Sequence, residues 1–142
     1  MSVAYFDASA LVKLYADEPS HQEVRSLDAI IVTSSLARVE VVSAFFGKVR
    51  INELSTANAQ ILTDVFTSDW NDGRFVPISP NEEIEVAAAA LVIRYPLRGF
   101  DALHLATANA ARRASGDCEV FVCFDKKLNT AAAGEQFKLM TV

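Results

Sequence analysis

The feature that most constrains this chain is an alternation: short apolar runs trade places with segments whose apolar residues recur at helical spacing. Val3-Ala4-Tyr5-Phe6 is the first run, and Ala8 to Tyr15 follows it with a helical pattern. Asp17-Glu18-Pro19-Ser20 breaks that segment, and a short helix to about Leu27 comes next. Ala29 to Val32 reads as a second strand, after which Thr33, Ser34 and Ser35 offer N-cap oxygens for a helix to about Val49. Ser55 or Thr56 caps a further helix to about Trp70, and Asn71-Asp72-Gly73 makes a turn. Arg74 to Ile78 is a short strand whose Pro77, lacking an N–H, predicts an edge position or a strand end. Beyond Pro80-Asn81 lie helices over Glu82 to Arg94 and about Phe100 to Ala114, the latter stopped by Ser115-Gly116. A strand over Glu119 to Phe124, a short helix over Lys126 to Ala133 and a strand over Phe137 to Val142 complete the pattern. Strands alternating with helices predict an α/β fold, a three-layer sandwich around a central, mostly parallel sheet.

At 142 residues, 51% of them apolar, the chain suits one domain over residues 1–142 that folds without a disulfide or structural metal. Its longest apolar run, Val86 to Ile93, has eight residues, far short of the ~18 of a membrane span. The opening residues carry no basic-then-apolar leader, so the expected location is cytoplasmic, away from any membrane. Cys118 and Cys123 are spaced to face opposite sides of a strand that includes both, and neither histidine lies nearby. Free thiols are expected there, not a disulfide or a zinc set. A net charge of −5 excludes nucleic-acid binding through a broad basic surface. Any such role must rest on a local site, and the acidic balance also suits a basic protein partner.

Two predicted strands end in aspartate, at Asp7 and Asp125. Ligands of open parallel sheets bind beyond the carboxyl ends of the strands, so both acids stand where chemistry is usual. Each also has a simpler role available, as N-cap of the helix that follows. Glu40 sits in a mostly apolar helix, with only Leu36, Ala37, Ser43 and Ala44 one turn away. No cation on its own helix can pair with it, and its surroundings predict burial. A buried carboxylate then needs a distant cation, a proton or a metal; the alternative is a solvated glutamate on the helix edge. Asp101 lies in the first turn of its helix, where the dipole favours an anion, and Ala102, Ala106 and Ala108 permit close packing there. If these four acids converge, they form an oxygen-only donor set suited to Mg²⁺ or Mn²⁺. Carboxylates ~4 Å apart repel by ~4 kcal/mol at an effective dielectric of ~20. A divalent ion removes that repulsion, activates water and neutralises charge on a phosphate.

The residues Asp7-Ala8-Ser9-Ala10-Leu11, Glu40 within its apolar helix, Asp101-Ala102-Leu103-His104-Leu105-Ala106 and Phe124-Asp125-Lys126-Lys127-Leu128 together resemble the PIN-domain nucleases. The likeness is to the VapC-type toxins of bacterial toxin–antitoxin pairs in particular, and it spans nearly the whole chain. It implies Mg²⁺- or Mn²⁺-dependent endonucleolytic cleavage of RNA, a cognate antitoxin and a homodimer. The family's carboxylates correspond to Asp7, Glu40, Asp101 and Asp125. Ser9 matches a family hydroxyl that could orient a carboxylate or a bound water. The family often has Ser or Thr two residues before its last aspartate, where this chain has Cys123, a weaker donor expected to loosen that ligand's positioning.

Other residues read more simply. His104, one turn after Asp101, is expected to pack, with proton donation as the alternative; Lys13, Lys126 and Lys127 are expected to be solvated, with phosphate contact as the alternative; Tyr5, Phe45, Phe46 and Phe121 are expected to build the core. Trp70 is expected at an interface or a helix end. Two other functions fit the pattern less well. One is a catalytically weak PIN-like binding module that associates with a basic protein. The other is an aspartyl-phosphate protein, which wants a second acid where Ser9 stands or an acid pair before Asp7.

Overall fold

The structure, a computed structural model, describes residues 2–140. The strands are β1 (Ser2–Phe6), β2 (Ala29–Ser34), β3 (Phe75–Ile78), β4 (Cys118–Val122) and β5 (Lys138–Leu139). The helices are α1 (Ala8–Val12), α2 (His21–Arg25), α3 (Ala37–Arg50), α4 (Thr56–Asn71), α5 (Glu82–Arg94), α6 (Gly99–Ser115) and α7 (Lys126–Gly134). The strands form one five-stranded sheet in the order β3-β2-β1-β4-β5, with every pairing parallel.

Parallel strands covered on both faces need apolar residues on both, and β1 supplies them. Ala4 and Phe6 enter one core with Leu11, Val41, Phe45 and Phe66, beneath α1, α3 and α4. Tyr5 enters the other with Ile84, Leu91, Leu105, Phe121 and Leu128, beneath α5, α6 and α7. The result is the expected three-layer sandwich. β3 lies at the sheet edge, where Pro77 pairs in register with Thr33 and its missing N–H is tolerated. Ser55 and Asn81 cap α4 and α5 through bonds to the Asn58 and Ile84 N–H groups.

Four boundaries differ from the sequence pattern, each for a local reason. α1 stops at Val12, not Tyr15, and Lys13 turns away to bind Glu18 and the Pro19 carbonyl. β2 runs on to Ser34, so the expected cap residues serve otherwise. Thr33 donates to the Phe6 carbonyl, Ser34 accepts from the Leu36 N–H, and α3 begins without a side-chain cap. β4 leaves the sheet after Val122, because the Phe124 N–H goes to Ser9 and Asn129 takes the Cys123 carbonyl. Cys123 is therefore beyond the strand, and both cysteines are free and buried. β5 keeps only Lys138–Leu139 of the expected final strand, whose Thr141 and Val142 lie outside the described residues.

Candidate active site

Parallel pairing of β1 with β4 brings the ends of both strands to one edge, and Asp7 is fixed there first. Its N–H donates to the Val122 carbonyl at 3.2 Å, which ties it to β4. Its Oδ1 accepts from the Ala10 N–H at 3.0 Å and the Ser9 hydroxyl at 2.7 Å. Asp125 caps α7 in the same way, with Oδ1 accepting from the Leu128 N–H at 2.9 Å. Capping and site chemistry are thus compatible: each cap uses Oδ1, and Oδ2 of Asp125 faces Arg98 at 3.9 Å.

Ser9 joins the two halves of this edge. Besides donating to Asp7 it accepts the Phe124 N–H at 3.0 Å, pinning the segment that leads to Asp125. Cys123 has other contacts. Its thiol lies 3.2 Å from Asn129 Oδ1 and 3.6 Å from the Asp125 carbonyl, while the Asn129 amide donates to the Cys123 carbonyl at 3.1 Å. Burial holds the thiol well above its ordinary pKa. It therefore braces the loop backbone of Asp125 instead of meeting the carboxylate.

Glu40 lies in the first turn of α3, half-buried, between the burial and the solvated helix edge that its sequence surroundings allow. Its distant partner is His104, whose Nε2 stands 2.7 Å from Glu40 Oε1. His104 is buried on α6, with Nδ1 2.8 Å from the Tyr5 hydroxyl and its ring edge-on to Tyr5 at 5.9 Å. The expected packing role is real but incomplete. Burial alone would lower the imidazole pKa, yet the Glu40 hydrogen bond and charge, with Asp7 and Asp101 beyond, raise it above 6.5. With Nε2 on Glu40 and Nδ1 on the Tyr5 hydroxyl, both ring nitrogens of His104 have hydrogen-bond partners. Sequence reasoning missed this chain of contacts. Its one signal was that His104 lies three residues after Asp101, on the same helical face.

Asp101 occupies the first turn of α6, and its carboxyl is held above the usual range by burial and by the charge of Asp125. Arg98 and His104 oppose that rise, and Glu40 adds to it. Burial likewise raises Asp7 to about 6, against the pull of His104, Ser9 and the Ala10 N–H and with a push from Asp101. A cavity of about 480 Å³ is lined by Glu40, Arg98, Gly99, Phe100 and Asp101. A second, of about 590 Å³, is lined by Pro96, Leu97, Arg98, Asp101, Asp125, Lys126 and Lys127. Arg98 and Asp101 belong to both, so the two form one acid-lined cleft with Asp7 buried beside it.

The remaining expectations divide. Lys126 and Lys127 face the cleft, whereas Lys13 is neither solvated nor part of it: it is buried, 4.4 Å from the Phe124 ring centre. Tyr5, Phe45 and Phe121 are fully buried, Phe46 packs at the core margin, and Trp70 ends α4 against Phe66 and Phe75. Arg98 was not anticipated.

The donors fit a hard divalent cation. They are all carboxylate oxygens, and the charges of Asp125 and Glu40 add to burial in raising the Asp101 carboxyl. Among the described residues no three of these groups already close on a single point.

The model of the PIN domain matches residues 4–134. The chain belongs to the PIN domain family. Two curated relatives of this PIN domain are Ribonuclease VapC45 and Ribonuclease VapC49, both from Mycobacterium tuberculosis. Each is 34% identical, with the alignment covering 93% of this chain and 90% of theirs. A toxin–antitoxin complex from Klebsiella pneumoniae superposes with a TM-score of 0.65 at 19% identity, covering 97% of this chain and 96% of that one. VapC20 of M. tuberculosis, a sarcin–ricin loop cleaving toxin, gives 0.64 at 16% identity, covering 90% and 94%. These two likenesses establish the fold.

Proposed function

We propose that this PIN domain is a metal-dependent endoribonuclease and the toxin of a type II toxin–antitoxin pair, with Asp7, Glu40, Asp101 and Asp125 as its working acids. The observation that carries the reading is the convergence of Glu40, Asp101 and Asp125, from three separate segments, on one cleft with Asp7 beneath its edge. The identity to two ribonucleases over nearly the whole chain supports it. Loss of an acid would favour a binding module, and all four are present.

Asp7, Asp101 and Asp125 are the residues that would hold Mg²⁺ or Mn²⁺, which supplies an activated water and charge neutralisation at the phosphate. Ser9 fixes the Asp7 carboxylate by donating to its Oδ1. Glu40 keeps Oε1 on His104, leaving Oε2 to take a proton from the attacking water. Arg98, Lys126 and Lys127 give the cleft its only cationic lining among these residues, on a chain of net charge −5.

The partner is an antitoxin that places Arg or Lys among the carboxylates, where desolvated charge pairing is strong. A homodimer belongs to the same reading, and exposed Val86 and Ile93 of α5 offer apolar surface for one. No described helix is long and apolar enough to cross a membrane, in keeping with work on cytoplasmic RNA.

The test is RNA cleavage by purified protein with Mg²⁺ or Mn²⁺, with EDTA, and by Asp101→Asn. Metal-dependent cleavage that the variant lacks is the expected result. Full cleavage in EDTA, or by Asp101→Asn, would refute the reading.

A further inference from the structure

Arg98 is a cation set directly on the acids. It precedes the first residue of α6, and its side chain is 86% exposed. Its Nε lies 3.7 Å from Asp101 Oδ2, and one terminal nitrogen lies 3.9 Å from Asp125 Oδ2. Both separations exceed hydrogen-bond length, so the guanidinium is attracted to the pair without being locked to either. An exposed ion pair of this kind contributes little stability and exchanges partners easily. The same side chain lines both cavities of the cleft, and in the larger it is joined by Lys126 and Lys127.

This placement answers a difficulty of the site. Four carboxylates repel an approaching phosphate, and the protein as a whole carries −5. A divalent ion on the carboxylates and an arginine beside them would reverse the local field. A divalent ion held by Asp101 and Asp125 would compete with the guanidinium for these two carboxylates. The planar guanidinium has an equivalent partner in a phosphate, which it can grip through two parallel N–H bonds.

We propose that Arg98 is a positioning residue that exchanges counter-ions: a divalent cation displaces it from Asp101 and Asp125, and the released guanidinium holds an RNA phosphate beside Lys126 and Lys127. The inference rests on the nuclease reading and names the group that orients the substrate. Metal loading and substrate grip are thereby coupled through one side chain.

Arg98→Ala and Arg98→Lys test it, and the exposure of the side chain leaves folding out of the question. Manganese affinity is measured by electron paramagnetic resonance without RNA. Steady-state cleavage is measured on a fluorescent, mixed-sequence single-stranded oligoribonucleotide with Mg²⁺. Removing a competing cation should tighten Mn²⁺ binding by Arg98→Ala about 3- to 10-fold. Loss of a phosphate contact should raise KM about tenfold with kcat changed less than about threefold. Arg98→Lys should fall between, since it keeps the charge and loses the fork. Unchanged or weaker manganese affinity, or an unchanged KM, overturns the proposal while wild-type cleavage stands. No metal-dependent cleavage by the wild type overturns the nuclease reading itself, and this inference with it.

Discussion

Asp7 and Asp125 cap their helices through the same oxygen and the same kind of bond, yet they live in different surroundings. Asp7 is 5% exposed, fastened to β4 through its N–H and to Ser9 through its carboxylate. Asp125 has a side chain 37% exposed, with the exposed Arg98 and Lys126 for company. Glu40 belongs with Asp7, because His104 and Tyr5 anchor it to the core. Asp101 belongs with Asp125, whose charge it feels most strongly among its acidic neighbours. The cleft therefore has a fixed inner half and an adjustable outer half. A fixed half sets geometry in advance, which is what catalysis asks of its supports; an adjustable half admits and releases ions and substrate. Both halves carry electrostatic cost: burial raises Asp7 to about 6, and burial with the charge of Asp125 raises Asp101.

The largest expected effect comes from neutralising that cost. Asp7→Asn keeps an Oδ1 acceptor for Ser9 and Ala10 but loses the charge, so cleavage should fall at least ~100-fold, beyond the range typical of outer supports. Stability should move the other way. The folded pKa of about 6 lies above the ordinary 3.8, so the ionised form destabilises the fold above pH 6 and the penalty fades as pH falls towards 4. Two pKa units correspond to roughly 3 kcal/mol at most. Thermal melts in EDTA should show Asp7→Asn more stable than wild type at pH 8 and equal to it near pH 4. A loss of stability at pH 8 would place the value of Asp7 in its capping bonds.

Next comes the other inner support. His104→Gln breaks the link to Glu40 and should reduce cleavage ~10- to 100-fold, as loss of an orienting partner does. Because the folded imidazole pKa is raised, the stability it contributes is complete below pH 6.5 and disappears as pH rises through that higher value. The gap in melting temperature between wild type and His104→Gln should accordingly be widest near pH 6 and shrink at alkaline pH. A gap independent of pH would mean that His104 acts by packing alone. Ser9→Ala touches both halves and should cost about tenfold in metal affinity, read by manganese titration. Equal affinities would show that the Asp7 carboxylate needs no hydroxyl to hold it.

The two halves were not equally legible in the sequence. Alternation located the sheet and helices, and Asp7, Ser55 and Asp125 marked real caps because those signals are local, whereas Thr33, Ser34 and Ser35 did not cap α3. Asp101 and Asp125 sit near Arg98, Lys126 and Lys127 in the chain, so the outer half is largely a matter of neighbours. The inner half depends on pairings across the fold. Glu40 meets His104 at a separation of 64 residues, and Ser9 meets Phe124 at 115. No periodicity reports such contacts. The apolar neighbours of Glu40 left burial and a solvated edge both open, because helix spacing cannot show that one side of α3 opens on a cleft. The end of β4 was misplaced for a related reason: Cys123 and Phe124 look like strand residues, but Ser9 and Asn129 claim their backbone groups.

Cys123 gives the smallest expected effect and bears on where the boundary between the halves runs. A hydroxyl at this position, if it oriented the Asp125 carboxylate, would make Cys123→Ser a better metal binder. The contacts point elsewhere: the thiol meets Asn129 Oδ1 and the Asp125 carbonyl, which are groups of the loop and not of the ion site. Serine can make the same bonds, with a shorter reach and a stronger donor. The change in stability should stay within about 1 kcal/mol, the net worth of one hydrogen bond. Half-maximal metal concentrations should agree within about twofold, well inside the ~10- to 100-fold that a true ligand support produces. Asn129→Ala sharpens the comparison, because it removes both the partner of the thiol and the bond to the Cys123 carbonyl. That variant should weaken Mn²⁺ binding more than Cys123→Ser does, since the loop carrying Asp125 loses its brace. If instead Cys123→Ser lowers the half-maximal metal concentration tenfold while Asn129→Ala leaves it unchanged, the side chain at 123 acts on the carboxylate directly. The outer half would then be as firmly supported as the inner one.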